Sequence, residues 1–274
     1  MPQSRPSTPL TVRTYGDAGP RVILLHGGPG AAGSIAPVAR GLSDAFHVIE
    51  PLQRRREDSA LTVQRHIDDL DTVVSGYCEG EQPALVGHSW GAMLALAYAA
   101  QHPNAVRCIV LIGCGTFDAT ARKQMEATLT ERTNPQIEAR RRRLALEVKD
   151  IDVRLCVLCR LLEPLYTYDA IDGVVDETEE YDMRGHDDTW RDMVRLQECG
   201  IFPASFSRIA APVLMVHGDW DPHPGRMTFN TLQACMPQIE YVELPQCGHY
   251  PWREKAAHDE MFEALRDWLW QNMA

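Results

Sequence analysis

Short apolar runs alternate with amphipathic stretches over most of the chain. Val22-Ile23-Leu24-Leu25, Phe46-His47-Val48-Ile49, Ala84-Leu85-Val86, Arg107–Ile112, Pro212–His217 and Ile239–Leu244 each read as a buried strand. Leu10 to Thr14 is expected to open the sheet. Between these runs, helices are predicted from about Ile35 to Asp44 and from Thr62 to Cys78. In the second, Val63, Ile67, Leu70 and Val74 form one apolar stripe. Ala92–Ala100 is a helical stretch of small residues, and a last helix from about Lys255 to Gln271 turns Met261, Leu265, Trp268 and Leu269 inward. Strand–helix alternation of this kind predicts an α/β fold, a mostly parallel sheet covered on both faces.

Between about Thr116 and Ser207 the alternation stops. The segment is charged and helical in pattern, with Arg140-Arg141-Arg142-Arg143 and Glu177-Thr178-Glu179-Glu180 as clusters expected on solvated helix faces. The predicted organisation is therefore a core domain from 1–115 and 207–274 with a helical insertion over 116–206. There is no internal repeat.

Gly87-His88-Ser89-Trp90-Gly91 lies between the apolar run at 84–86 and the small-residue helix. Strand, G-x-S-x-G, helix is the context of a nucleophile elbow, a turn so tight that glycines must flank the serine. The hydroxyl is then exposed at the carboxyl edge of the sheet, beside a helix N-terminus that favours developing negative charge. A serine needs a base, an orienting acid and oxyanion donors. The strand at 22–25 runs into His26-Gly27-Gly28-Pro29-Gly30, a turn able to aim amides at a reacting oxygen. Pro29 has no N–H, so the Gly28 amide is the expected donor, with the Trp90 amide as the second.

Downstream, the strand at 212–217 ends in Gly218-Asp219-Trp220-Asp221-Pro222, and the strand at 239–244 leads to Pro245-Gln246-Cys247-Gly248-His249. The resulting order Ser89, Asp221, His249 is that of the α/β-hydrolase class. Asp219 competes for the acid role but is assigned to turn hydrogen bonds. His217, His223 and His258 are read as structural or solvated.

The set H-G-G-P-G, G-H-S-W-G, H-G-D-W-D and G-H-Y-P-W-R-E resembles the α/β-hydrolase superfamily, and is most similar to its proline-iminopeptidase-like branch. The resemblance covers residues 10–115 and 207–274. It implies an α/β-hydrolase fold with a helical cap over the site, Ser89 as nucleophile, His249 as base, Asp221 as acid, and Gly28 and Trp90 as oxyanion donors. Serine at 89 separates the chain from dehalogenase and epoxide-hydrolase members, which use aspartate there. Two features depart from the branch: His88 stands where it usually has glycine, and Glu50–Ser59 replaces its D-x-R-G-x-G-x-S stretch.

Composition narrows the partners. The 274 residues carry a net charge of −11, which argues against nucleic acid or an anionic membrane surface. Met1–Pro9 lacks the apolar core of a signal peptide, and no apolar run approaches a membrane span, so a cytoplasmic location is expected. Cys156 and Cys159 have C-x-x-C spacing but sit in a helical apolar pattern with no second pair, so no metal site is expected there. No cofactor is called for. The expected function is hydrolysis of a small-molecule ester or amide through an acyl-enzyme. A prolyl aminopeptidase, a lyase or C–C hydrolase using the same triad, and a ligand receptor with an idle triad are the alternatives. An aminopeptidase would need an inward-facing acid from the insertion, for which Glu163, Glu177 and Asp182 are candidates; an esterase pocket would be lined by residues such as Leu161, Leu165, Tyr166 and Trp190.

Overall fold

In the computed structural model the described residues are 9–173, 177–178 and 180–273. The N-terminal reading over residues 1–8 and the Glu179 position of the acidic run lie outside them. The apolar runs become β1 (Val12–Tyr15), β2 (Arg21–Leu25), β4 (His47–Pro51), β5 (Ala84–His88), β6 (Cys108–Ile112), β8 (Val213–Gly218) and β9 (Ile239–Leu244). They join in one sheet in the order β1-β4-β2-β5-β6-β8-β9, in which only β1 runs antiparallel.

Period-two alternation splits each central strand between two cores. Val22 and Leu24 pack with α1 (Ala36–Leu42) and α9 (His258–Met273), through Val38, Leu42 and Leu265. Ile23 and Leu25 face the other side, against α2 (Val63–Tyr77) and α3 (Trp90–Gln101). Thr62 caps α2, its hydroxyl accepting the Arg65 amide at 3.1 Å, an interaction worth about 1 kcal/mol. Helix α9 begins three residues later than its pattern predicts, because Lys255 uses its backbone to reach Asp169.

From β6 to β8 the chain forms α4 (Ala119–Arg132), α5 (Pro135–Glu147), α6 (Ile151–Leu162) and α7 (Met183–Glu198). Each opens on an Asp or Asn cap: Asp118, Asn134, Asp150 and Asp182. A two-stranded antiparallel pair, β3 (Ala31–Ala32) with β7 (Glu180–Tyr181), joins this segment to the loop after β2. The arginine run 140–143 lies on an exposed face of α5, as expected. The described residues of the acidic run, Glu177, Thr178 and Glu180, do not lie on a helix. Glu177 pairs with Arg40, and Glu180 stands in β7 and pairs with Arg55 at 3.1 Å, because this stretch lies against basic side chains of the sheet body. One further helix, α8 (Gly225–Gln233), sits between β8 and β9.

Candidate active site

The strand order reverses around β2: its loop and that of its parallel neighbour β5 leave the same carboxyl edge, with Leu25 in register with Gly87. Open α/β sheets form their binding crevice at such a reversal. Ser89 stands there, half-buried, with φ +54° and ψ −116°, a strained conformation for a non-glycine residue. Its amide donates to the Ile112 carbonyl at 2.9 Å. A Cβ at position 91 would lie 2.1 Å from the Leu25 carbonyl oxygen, so only glycine lets α3 start this close to β2. The Trp90 amide is in the first turn of α3, where amides have no acceptor within the helix.

The loop after β2 carries Gly28 exposed at φ +111°. Gln53, buried just past β4, braces this loop against the elbow. Its backbone amide donates to His26 Nε2 at 3.0 Å, its side-chain amide donates to the His26 carbonyl at 2.9 Å, and its Oε1 accepts the Trp90 indole N–H at 2.7 Å. His26 Nδ1 therefore carries the proton and donates to the Gly27 carbonyl at 2.8 Å. Burial lowers the His26 imidazole to about 4, so it stays neutral. Nothing in the sequence singled out Gln53 except its place at a strand exit, in the stretch that departs from the resemblance.

The loops after β8 and β9 bring Asp221 and His249 together. His249 Nδ1 donates to Asp221 Oδ2 at 2.6 Å, and the carboxylate is fully buried. Asp219 is exposed and accepts the Cys247 amide at 3.2 Å. The other Asp221 oxygen accepts the backbone amide of His223 at 2.9 Å and its Nδ1 at 2.8 Å. Burial alone would raise the Asp221 carboxyl, but His249, His223 and His217 outweigh it and hold it well below the ordinary range. Burial lowers His249, against the upward pull of Asp221. A cation would have to displace these ring protons to reach Asp221, so the three-residue cluster is a hydrogen-bonded network.

Around His249, the His88 ring lies 4.6 Å from the His249 ring and its Nε2 donates to the His249 carbonyl at 2.9 Å. Burial holds His88 well below its ordinary value. The His249 amide donates to the Tyr166 carbonyl at 2.7 Å. Glu254, fully buried, accepts the amides of Gly248 at 2.9 Å, Tyr168 at 2.8 Å and Asp169 at 2.7 Å. The strap 166–170 and the loop carrying His249 are thus joined through the Glu254 carboxylate and backbone amides, contacts that no local sequence pattern reveals.

The three acids considered for an inward role are otherwise engaged. Glu163 pairs with Arg253 at 2.9 Å, Glu177 pairs with Arg40, and Asp182 caps α7 while accepting the Arg56 amide at 2.6 Å. Tyr166 lies with its ring 5.6 Å from that of His249, and Leu165 is buried beside it. Leu161 is half-buried on α6, and Trp190 packs on the core instead. Cys156 and Cys159 form no disulfide among the described residues. A surface hollow of about 510 Å³ between α1 and α9, lined by Pro37, Trp252, Phe262 and Arg266, shares no residue with the Ser89 crevice.

Residues 22–264 match the family model described as the alpha/beta hydrolase family. The chain is similar to the pimeloyl-[acyl-carrier protein] methyl ester esterase of Nitrosomonas europaea, 24% identical over 260 residues, 88% of this chain and 93% of that one. It is 28% identical over 119 residues to the cis-3-alkyl-4-alkyloxetan-2-one decarboxylase of Shewanella oneidensis, covering 40% of this chain but only 37% of that one. With the proline iminopeptidase of Neisseria gonorrhoeae the identity is 40% over 100 residues, 34% of this chain and 32% of that one. Among solved structures, a thermophilic esterase from Thermogutta terrifontis shares the fold at a TM-score of 0.65 and 20% identity, over 97% of this chain and 94% of that one.

Proposed function

Since the chain belongs to the alpha/beta hydrolase family, we propose that it is a serine hydrolase of small carboxylic esters or uncharged amides, with Ser89 as nucleophile. The observation that carries the reading is Ser89 at φ +54° on the same sheet edge as His249, whose ring is fixed by the 2.6 Å bond to Asp221. With Nδ1 donating to Asp221, His249 has Nε2 free to take the Ser89 proton as Oγ attacks the carbonyl carbon. The Gly28 and Trp90 amides then receive the oxyanion, a role worth about 2.7–4 kcal/mol per donor. His249 returns the proton to the leaving group, and water repeats the cycle on the acyl-enzyme.

In this reading residues 116–206 are a cap that shapes access to Ser89 and excludes water. The engagement of Glu163, Glu177 and Asp182 favours a substrate without a free ammonium, since burying one unpaired costs several kcal/mol. The esterase relative that aligns along nearly its whole length points the same way. The test is a fluorophosphonate probe together with p-nitrophenyl butyrate and Pro-naphthylamide. Labelling that is lost in Ser89→Ala, with brisk ester turnover, is expected. Turnover without labelling overturns the acyl-enzyme, and a strong preference for Pro-naphthylamide over its N-acetyl form overturns the substrate class.

A further inference from the structure

We propose that His223 is a positioning residue for the base: it divides the Asp221 carboxylate with His249, stacks on that ring, and biases His249 toward its unprotonated form. The inference rests on the reading of Ser89, His249 and Asp221 given above. Asp221 gives Oδ2 to His249 Nδ1 at 2.6 Å and Oδ1 to His223 Nδ1 at 2.8 Å, while His217 Nε2, donating to the His223 carbonyl, lies 3.3 Å from Oδ2. The two rings lie 4.5 Å apart and 22° from parallel. Tyr166 closes over both, with centroids 5.6 Å from His249 and 6.1 Å from His223.

His223 is held in this place. It stands between Pro222 and Pro224, which restrict the backbone on either side. Its own amide donates to Asp221, its carbonyl accepts His217 Nε2 at 3.0 Å, and its side chain is 12% exposed. A histidine in a Pro-His-Pro turn beside a strand exit is therefore part of the acid–base apparatus, and not a surface residue.

The electrostatic consequence follows from what else faces His249. His217 from β8 and His88 from β5 are lowered by burial and stay neutral. Tyr166 from the intervening segment is pushed up to about 12 by burial, and burial raises Tyr250 and Cys114 as well, so these also stay neutral. Glu254 lies behind the loop, accepting its three amides. Arg132, stacked 4.0 Å over Trp220, is a fixed positive charge at any working pH. A neutral His223 draws on the carboxylate by hydrogen bonding and weakens its hold on a His249 proton. A protonated His223 repels that proton directly. Both effects favour the free base, and one carboxylate can compensate only one imidazolium at a time.

The test compares His223→Leu, which removes donor and charge, with His223→Gln, which keeps a donor. His249 is followed by NMR titration of its imidazole, and kcat/KM for p-nitrophenyl butyrate is measured against pH. Loss of His223 is expected to move the His249 titration and the acid limb to higher pH by about 0.5–1 unit, with Gln shifting less than Leu. Titration at the same or lower pH in both variants overturns the proposal, even if kcat falls. If Leu does not fold, the Gln variant decides by the same criterion. The NMR arm needs no turnover, so failure of the serine-hydrolase reading, seen as full activity in Ser89→Ala, stays distinguishable from failure of this one.

Discussion

Helix α3 and helix α5 are nearly equal in length and opposite in construction. Every described residue of α3 except Gln101 is buried, whereas α5 buries Leu144 alone. The first stands at the centre of the sheet body and is held by apolar contact on all sides. The second belongs to the segment between β6 and β8, whose α7 packs Trp190, Met193 and Leu196 on the core and which is also tied to the body by polar links. Arg55 reaches Asp152 at 3.0 Å, Arg56 reaches Asp188 at 3.1 Å, and Glu254 binds the strap at 168–169. Burial is insensitive to salt, while exposed ion pairs contribute roughly 0–1 kcal/mol each and are screened. Helix α3 is thus held by burial, while α5 lies outside the core in a segment joined to the body by both apolar and polar contacts.

The comparison breaks if chemistry resides in the segment. Ser89→Ala is expected to cut kcat by more than about a thousandfold, given triad losses near 10⁶, without loss of fold. Ester turnover above that level would move the nucleophile elsewhere. Asp221→Asn should lower kcat by about 10⁴, whereas Asp219→Asn and Glu163→Gln should each cost less than about tenfold. The reverse ranking of the two aspartates would place the orienting acid two residues earlier.

The body's buried imidazoles sharpen the contrast through pH. His26 and His66 are lowered to about 4 by burial, whereas in an unfolded chain they take up protons near 6.5. Between those values the unfolded state binds more protons, so stability falls as pH drops through that window and levels off below about 4. Each group contributes roughly 3 kcal/mol to that loss. Denaturant melts at pH 7 and pH 4.5 check it, and unchanged stability would mean these rings are hydrated. The smallest effect belongs to the segment. Arg55→Gln with Arg56→Gln should leave global unfolding within about 1 kcal/mol of wild type while making residues 119–200 more susceptible to proteolysis, as added salt does in the wild type. A loss of several kcal/mol would show that the segment is as integral as the body.

The strands, the elbow and the loop at 26–30 were legible because each depends on local chemistry: apolar runs of strand length, glycines where the backbone must approach closely, and polar residues at strand exits. Asp221 could be preferred over Asp219 for the same reason, and it is the one bonded to His249. The contacts that Gln53, Glu254 and His223 make around Trp90, Gly248 and His249 were not legible. Each residue earns its place by hydrogen bonds to groups 27 residues away, 6 to 86 residues away, and within a two-residue turn whose partner ring comes from another loop. The Glu177–Glu180 run misled for a related reason: its charge pattern says nothing about which basic side chain lies opposite.

The sequence by itself determined the alternation of elements, the strained turn at Ser89 and the chain order of serine, acid and histidine, because periodicity and steric need act over a few residues. Only the tertiary structure decided which oxygen of Asp221 serves which imidazole, which acids of the segment are already paired, and what braces the Gly28 loop. Those outcomes depend on groups brought within hydrogen-bond distance by the sheet order, and a reversal around β2 leaves no trace in any local pattern.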